Sequence, residues 1–273
     1  MKDTAEDLRQ LVREKYPEIA LQSKTQNESS CCGTGCCTPA DGSYTIMADE
    51  YTGLNGYEAD ADLGLGCGLP TRYALIRQGD TVVDLGSGAG NDCFVARAET
   101  GEMGKVIGVD MTEAMVTKAR RNAEKLGYSN VVFHLGEIED LPLPDSVADV
   151  VVSNCVMNLV PDKRRAFSET YRILKPGGHF SISDIVLEGE LPEGIRKAGE
   201  MYAGCVAGAL QKHDYLQVIE EAGFRSIRLQ KEKAIYLPDE ILLNFLTPEE
   251  VGDFRNRSTG IYSLTVYAEK PQA

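Results

Sequence analysis

Cysteine is the residue type that gives this sequence its most distinctive chemistry. Three of the eight cysteines, Cys67, Cys155 and Cys205, are far apart along the chain, and small residues flank the first and the last. Thiolates are soft ligands that select soft acceptors, and the wide spacing excludes a local zinc knuckle. For any one of them, burial in the core is an equally good interpretation, because reduced cysteine is among the most buried residue types. We assign Cys93, on the apolar side of a predicted helix, to the core.

A second group of cysteines, Cys31, Cys32, Cys36 and Cys37, lies in a polar segment (22–43) that is typical of a mobile loop. The N-terminal residues contain no apolar signal region, so we expect a cytoplasmic location in which these thiols stay reduced. Two interpretations stay open for these cysteine doublets. They form a site for a thiophilic ion, or they belong to a tail in which the cysteines have no binding function. Four sulfurs suit zinc, but their spacing is unlike that of paired C-x-x-C motifs.

A glycine-rich turn between a predicted strand and a predicted helix indicates nucleotide binding. The strand beginning at Thr81 runs into Asp84-Leu-Gly-Ser-Gly-Ala-Gly90, and a helical pattern starts at Asn91. Glycines let the backbone approach a ligand closely, and the helix N-terminus offers unpaired N–H groups. The next strand, Lys105 to Asp110, ends in a carboxylate placed to bind both hydroxyls of a ribose. The glycine order, Gly-x-Gly-x-Gly, differs from the dinucleotide fingerprint.

The elements that must position these residues form an alternating strand and helix pattern, which predicts a parallel, doubly wound sheet. In such a sheet ligands gather at the carboxyl ends of the strands. Cys155 follows the fourth strand, Cys67 shortly precedes the first, and Cys205 follows the fifth, so all three thiols can reach one edge. We leave the stretch with 242–246 and 248–254 unassigned. The predicted strands are 81–83, 105–110, 130–135, 149–153, 179–184, 226–230 and 262–269, and the predicted helices are 4–16, 113–126, 161–174, 195–210 and 214–222.

The composition bounds the class of protein. The 273 residues are enough to bury a large core, and 42% apolar with 26% charged residues is typical of a soluble globular chain. The formal net charge is −14, which disfavours nucleic acids and anionic membranes as partners. No apolar run is long enough to cross a membrane.

Two sets of motifs carry a family resemblance. The turn from Asp84 to Gly90 together with Gly108-Val-Asp110 resembles the cofactor site of class I S-adenosylmethionine-dependent methyltransferases. The segments Gly66-Cys67-Gly68, Asn154 to Lys163 and Tyr202 to Leu210 resemble the three cysteine motifs of arsenite S-adenosylmethionine methyltransferases, with similarity from about residue 51 to residue 210.

The resemblance implies a Rossmann-like class I methyltransferase fold, an α/β sheet that is mostly parallel, with an N-terminal cysteine-rich extension and a C-terminal α+β appendage. We predict three parts: an N-terminal helix and mobile cysteine-rich segment (1–50), the S-adenosylmethionine-binding domain with the arsenic site (51–210), and a C-terminal part that completes the sheet (211–273).

The resemblance further implies that the chain methylates arsenite, or its thiol conjugate, in arsenic detoxification. Cys67, Cys155 and Cys205 would hold trivalent arsenic, whose lone pair attacks the sulfonium methyl, so no general base is required. The family commonly has another cysteine upstream, for which Cys36 and Cys37 are the nearest candidates. A thiol reductant, of the thioredoxin or glutathione type, would recycle the cysteines.

Cofactor roles also follow from the match to the family pattern. One group would surround the methionine and ribose part, Asp110 would bind the ribose hydroxyls, and Met111 would pack against the adenine. Glu137 and Ile138 would hold the adenine edge, and Asn154 would face the amino-acid moiety. The first group is Asp84, Gly86, Ser87, Gly88 and Gly90.

Three other functions compete with this interpretation. An NAD-binding domain would share the scaffold. A quinone-ring C-methyltransferase would share the scaffold and the Lys175-Pro-Gly-Gly178 turn but leaves the three cysteines unexplained. A metalloid sensor or sequestration protein would not need the intact glycine turn or Asp110. Binding of the methyl donor separates the sensor from the two methyltransferases, and a cysteine-to-serine change separates those two from each other.

Overall fold

A single mixed sheet organises the part of the chain that the computed structural model describes, residues 5–22, 24, 27, 49–191, 206, 208–236, 239–243, 246–256 and 260–272. The helices in this part are α1 (Ala5–Leu21), α2 (Pro70–Tyr73), α3 (Asn91–Thr100), α4 (Glu113–Leu126), α5 (Lys163–Ile173), α6 (Lys212–Glu221), α7 (Asp239–Leu242) and α8 (Pro248–Asn256), with a 3₁₀ turn at Met157–Leu159. The strands are β1 (Thr81–Leu85), β2 (Lys105–Asp110), β3 (Val131–Leu135), β4 (Ala148–Asn154), β5 (Leu174–Glu188), β6 (Leu210–Gln211), β7 (Arg225–Ile235) and β8 (Gly260–Glu269).

The strand order is β3-β2-β1-β4-β5-β8-β7, and the short β6 pairs with β5. The pairs among β1 to β5, and the pair of β6 with β5, are parallel, whereas β8 runs antiparallel to both β5 and β7. This confirms the predicted doubly wound, mostly parallel sheet. The chain leaves β1 toward β2 on one side and places β4 on the other, so the crevice between β1 and β4 is the switch point at which such sheets bind ligands.

Sequence patterns set the bounds of several elements accurately. In α4 the residues Met115, Val116 and Ala119 are buried at helical spacing, and Gly127 ends the helix in the left-handed conformation at φ 68°. β1 and β4 are apolar on both faces, as expected for central parallel strands covered by helices.

Two helix predictions differ from the structure. Helix α1 was predicted to span residues 4–16 and end near Tyr16-Pro17, but it continues to Leu21. Its last turn is fixed by packing, because Ala20 is buried against the core and its carbonyl accepts a hydrogen bond from Lys118 Nζ at 2.7 Å. The helix predicted for 195–210 lies largely outside the described residues, and at its end Leu210 belongs to a strand instead.

The stretch left unassigned in the sequence forms α7 and α8, which pack at the sulfur-bearing edge of the sheet. Leu242, Val251 and Phe254 are buried in the same apolar cluster as Cys67 and Cys155. In the residues that the structure describes, no helix combines the length and the apolar character needed to span a membrane.

Candidate active site

The turn after β1 forms one wall of a cavity at the carboxyl edge of the sheet. Gly86 has a φ of 71°, and its N–H donates to the carbonyl of Val109 on β2 at 2.8 Å. A Cβ on Gly86 would lie 2.4 Å from Cγ2 of Val156. Both the backbone conformation and the contact therefore require glycine. Gly88 lines the cavity, and the space that its Cβ would take is open.

Replacing Gly86 with alanine should weaken binding of the predicted cofactor by at least about tenfold, because the added methyl group displaces Val156 and strains the turn. Calorimetric titration with S-adenosylmethionine measures this loss. Gly79 is a matched control, because it has a φ of 89° but no atom within 4 Å of its Cβ position, so Gly79→Ala should leave cofactor affinity unchanged. Equal loss in both variants would mean that general destabilisation is responsible.

Asp110 ends β2 with its carboxylate fixed at the cavity. Its Oδ2 accepts a hydrogen bond from the Gly88 N–H at 2.9 Å, and its Oδ1 accepts one from the Thr112 N–H at 2.8 Å. Burial raises the pKa of Asp110, while these two donors oppose that shift. Asp84, at the end of β1, is also buried, with a raised pKa, and accepts a hydrogen bond from the Cys93 thiol at 3.2 Å. The predicted core residue Cys93 is thus buried against a carboxylate of the cavity wall.

Two polar atoms of the cavity wall have no hydrogen-bond partner within the described part of the chain. They are Ser87 Oγ, in the glycine turn, and Asn91 Oδ1, at the start of α3. A buried polar atom without a partner is costly, so a polar ligand that reaches both atoms would relieve that cost. The cavity therefore fits a ligand with hydroxyl, amino or carboxylate groups.

The rest of the cavity combines apolar and charged walls. Tyr16 reaches it from α1, which also supplies an ion pair between Arg13 Nη2 and Glu137 Oε1 at 2.5 Å. The lining residues that the sequence singled out are Asp84, Gly86, Ser87, Gly88, Asp110, Met111, Glu137, Ile138, Asn154 and Cys155. Gly90 stands just behind the turn at φ 99°, as the residue that caps α3.

The Asn154 side chain ties the loop around Cys67 to the first turn of α3. Its Oδ1 accepts hydrogen bonds from the N–H groups of Cys67 at 3.0 Å and Gly68 at 3.3 Å. Its Nδ2 donates to the Gly68 carbonyl at 2.9 Å, to the Tyr51 hydroxyl at 2.5 Å and to Asp92 Oδ2 at 3.3 Å. The Tyr51 hydroxyl donates to the same Asp92 oxygen at 2.7 Å. Burial raises the pKa of Asp92 to about 6, against the effect of these donors.

Cys67 and Cys155 meet at the edge of this network. Their sulfur atoms and a carboxylate oxygen of Asp184 all lie within 4.8 Å of one another, and all three residues are buried. Backbone contacts fix both cysteines, since the Cys155 N–H donates to the Ser183 carbonyl at 2.7 Å and Ser263 Oγ donates to the Cys67 carbonyl at 2.6 Å. Cys155 has a φ of 60°, a strained conformation of the kind that proteins retain at functional positions.

Asp184 was missed as a site residue. The sequence predicted that a strand ends at Asp184. In the structure β5 continues to Glu188, because the whole of β8 pairs with β5 from His179 to Glu188. The Asp184 carboxylate is therefore buried within the strand. Burial raises the pKa of Asp184 to about 7, while the positive charge of Lys163 opposes the shift. Tyr215 donates to Asp184 Oδ2 at 3.3 Å. An acidic residue followed directly by the apolar run Ile185-Val-Leu was the available signal.

The structure therefore brings together two of the three dispersed cysteines that the sequence singled out. Cys205, Cys36 and Cys37 lie outside the described residues. The residue after Cys205, Val206, is buried in the same apolar cluster as Cys67 and Cys155.

Comparison with known proteins agrees with this geometry. Residues 76–223 match the family model of a methyltransferase domain. The chain is 40% identical to an arsenite methyltransferase of Halobacterium salinarum, over 97% of this chain and 67% of that protein. It spans about half the length of other arsenite methyltransferases that it matches, among them the protein from Homo sapiens. It is 30% identical to a ubiquinone/menaquinone biosynthesis C-methyltransferase of Escherichia coli, over 69% of this chain and 74% of that protein.

Among solved structures, the chain is similar to CrArsM, an arsenic(III) S-adenosylmethionine methyltransferase from Chlamydomonas reinhardtii. The TM-score is 0.64 at 38% sequence identity, and the match covers 76% of this chain and 68% of that one.

Proposed function

Because this chain belongs to the arsenite methyltransferase family, we propose that it transfers the methyl group of S-adenosylmethionine to trivalent arsenic held by its cysteine thiolates. The observation that carries the proposal is the position of Cys155. This residue lines the cavity formed by the glycine turn and also belongs to the thiol cluster with Cys67. A nucleophile bound by these sulfurs would therefore lie beside the cofactor.

The cavity residues suit S-adenosylmethionine, which supplies an electrophilic methyl group on a sulfonium centre. We assign Asp110 to the ribose hydroxyls, and the hydrogen bonds that its carboxylate accepts from the N–H groups of Gly88 and Thr112 support this assignment by holding it in one orientation. Ser87 Oγ and Asn91 Oδ1 offer the unpartnered atoms for polar groups of the ligand. We assign the methionine and ribose part to Asp84, Gly86, Ser87, Gly88 and Gly90, the adenine to Met111, Glu137 and Ile138, and the amino-acid moiety to Asn154.

The thiolates hold the substrate. Trivalent arsenic bound by three sulfurs is pyramidal and keeps a lone pair, and we assign the third sulfur to Cys205. The lone pair forms the new arsenic–carbon bond while the sulfonium carbon–sulfur bond breaks, and the leaving electron pair stays on the cofactor sulfur. No proton moves in this step, which agrees with a cavity wall that contains no histidine among the described residues.

The apolar cluster around the thiols has two functions in this proposal. Residues of α7 and α8 cover the sulfur-bearing edge, which excludes water from the reacting atoms. The short backbone contacts of Cys67 and Cys155 hold the sulfurs in place, so that the nucleophile is presented to the methyl group at near-attack distance.

Four further assignments belong to the same proposal. A thioredoxin-type or glutathione-type thiol reductant returns arsenic to the trivalent state, since donation of the lone pair oxidises it. Cys36 or Cys37 contributes a further thiolate, and the chain acts in the cytoplasm. The chain is divided into an N-terminal part (1–50), the S-adenosylmethionine-binding domain (51–210) and a C-terminal part (211–273).

Tyr51→Phe should lower kcat/KM for arsenite by about tenfold with less effect on cofactor affinity, since the lost hydroxyl releases Asn154 and Asp92 from their shared contact. Initial-rate kinetics with each substrate varied in turn measures the two effects. Tyr128→Phe is the matched control, because this tyrosine packs on Phe94 away from the thiols and its variant should keep wild-type kinetics. Unchanged arsenite kinetics in Tyr51→Phe would show that the Cys67 loop is positioned without this network.

The test of the function is an incubation of the purified chain with arsenite, S-adenosylmethionine and a thiol reductant, followed by chromatographic separation of the arsenic species. Methylated arsenic is the expected product. A parallel incubation supplies a demethylated quinone in place of arsenite. Cofactor binding without methylated arsenic, together with methylation of the quinone, would replace the proposal with the organic-acceptor methyltransferase.

A further inference from the structure

We propose that Cys67, Cys155 and Asp184 also form a binding site for a thiophilic divalent cation, for which Zn²⁺ is the probe, and that this cation competes with arsenite. The two sulfurs and a carboxylate oxygen lie within 4.8 Å of one another, close enough for one ion to contact all three. The same two thiolates serve the proposed methyl transfer, so the proposal that the cation competes with arsenite rests on that function.

The donor set differs from what arsenic alone requires. Trivalent arsenic is soft and takes three sulfurs, so a carboxylate oxygen beside the thiols adds no preferred ligand for it. Zn²⁺ accepts both cysteine sulfur and aspartate oxygen, and sites with three protein ligands leave a fourth position for water. Two sulfurs and one oxygen therefore match a borderline divalent cation better than they match the proposed substrate.

The oxygen ligand is held in a fixed orientation. Asp184 Oδ1 accepts a hydrogen bond from the Ile185 N–H at 3.1 Å, and Oδ2 accepts one from the Tyr215 hydroxyl at 3.3 Å. Such contacts behind a ligand orient it toward the ion and raise metal affinity. Lys163 adds a positive charge that acts on Asp184 and offsets part of the negative charge of two thiolates and a carboxylate.

A cation bound here would inhibit methyl transfer. Zn²⁺ has a filled d shell and no lone pair to offer an electrophilic methyl group. Of the three proposed ligands, Cys155 lines the cofactor cavity, whereas Cys67 and Asp184 do not. Zn²⁺ should therefore compete with arsenite and leave cofactor affinity unchanged.

The test uses the reduced, metal-free full chain in which Cys31, Cys32, Cys36 and Cys37 are all changed to serine, so that these thiols bind no metal. Zn²⁺ is titrated in competition with a chromophoric chelator, with and without arsenite. We expect one tightly bound Zn²⁺ that arsenite displaces. Asp184→Asn should weaken Zn²⁺ binding by at least about tenfold and leave arsenite binding nearly unchanged.

Controls separate this site from other thiols and from the proposed function. Cys93→Ser, which removes a buried thiol elsewhere, should keep full Zn²⁺ affinity, and Cys155→Ser should lose it. Zn²⁺ affinity that is equal in Asp184→Asn and its parent, or that persists in Cys155→Ser, would overturn the cation site. Arsenite binding that is not displaced by Zn²⁺ would overturn the cation site alone, whereas absence of arsenite binding would count against the proposed function.

Discussion

Cys155→Ser should reduce formation of methylated arsenic by at least about a hundredfold, the largest effect that we expect from a single substitution. A hydroxyl is a hard, weakly acidic ligand, so serine does not replace the thiolate on a soft acceptor. The change is also conservative for the fold, because serine has nearly the volume of cysteine and tolerates the φ of 60° at this position.

Cofactor binding distinguishes loss of the substrate site from loss of the structure. The hydrogen bonds that fix Asp110 and Gly86 are made with Gly88, Thr112 and Val109 and involve no atom of Cys155, so the variant should bind S-adenosylmethionine with wild-type affinity. Cys93→Ser is the matched control, since this thiol is buried in a different apolar cluster and should be dispensable for methylation. Methylated arsenic formed by Cys155→Ser at the wild-type rate would contradict thiolate ligation.

The parts of the site that could be predicted from sequence are those that local patterns determine. The glycine turn and Cys155 directly follow a strand, Asp110 is the last residue of one, and the sheet places the ends of parallel strands at one edge. Helix α4 was predicted at its observed bounds because apolar spacing and a C-terminal glycine both point to them.

The parts that could not be predicted depend on contacts between distant segments. The Asn154 amide makes three hydrogen bonds to the Cys67 loop and two to Tyr51 and Asp92, and only the folded chain brings these groups together. Asp184 became a member of the thiol cluster because β8 extends β5 past it. The helices α7 and α8 are short and weakly periodic, so their burial against the thiols is determined by tertiary packing.

Asp184→Asn should raise the free energy of unfolding at about pH 8 by about 2–4 kcal/mol and have a smaller effect toward about pH 5. Burial raises the pKa of Asp184 in the folded chain to about 7, whereas an unfolded aspartate titrates near about 3.9. The folded chain therefore holds this proton more tightly than the unfolded chain. The stability from this group is greatest below the unfolded pKa and is lost as the pH rises toward the folded pKa.

Asparagine has nearly the same shape as aspartate and no charge to bury, so the variant does not lose stability as the pH rises toward the folded pKa of Asp184. Urea unfolding of both proteins across this pH range, with a chelator present, measures the difference. Asp214→Asn, at an exposed position in the first turn of α6, is the control and should show no such pH-dependent gain. A gain in Asp184→Asn that does not change with pH would mean that the folded chain does not bury an ionised carboxylate here.

An increase in the free energy of unfolding in Asp184→Asn would indicate that the carboxylate is not present for the stability of the fold. A residue that lowers stability at neutral pH contributes nothing to the fold that asparagine could not supply, since the amide oxygen of asparagine can accept from the Ile185 N–H while its Nδ2 donates to the Tyr215 hydroxyl oxygen. Perturbed carboxylates of this kind concentrate at functional sites, where charge is retained in spite of its cost. A stability gain in Asp184→Asn combined with a loss of Zn²⁺ affinity would assign the charge of Asp184 to ligand binding. A stability gain without a loss of Zn²⁺ affinity would indicate that the charge of Asp184 acts on the thiols of Cys67 and Cys155 instead of on a bound cation.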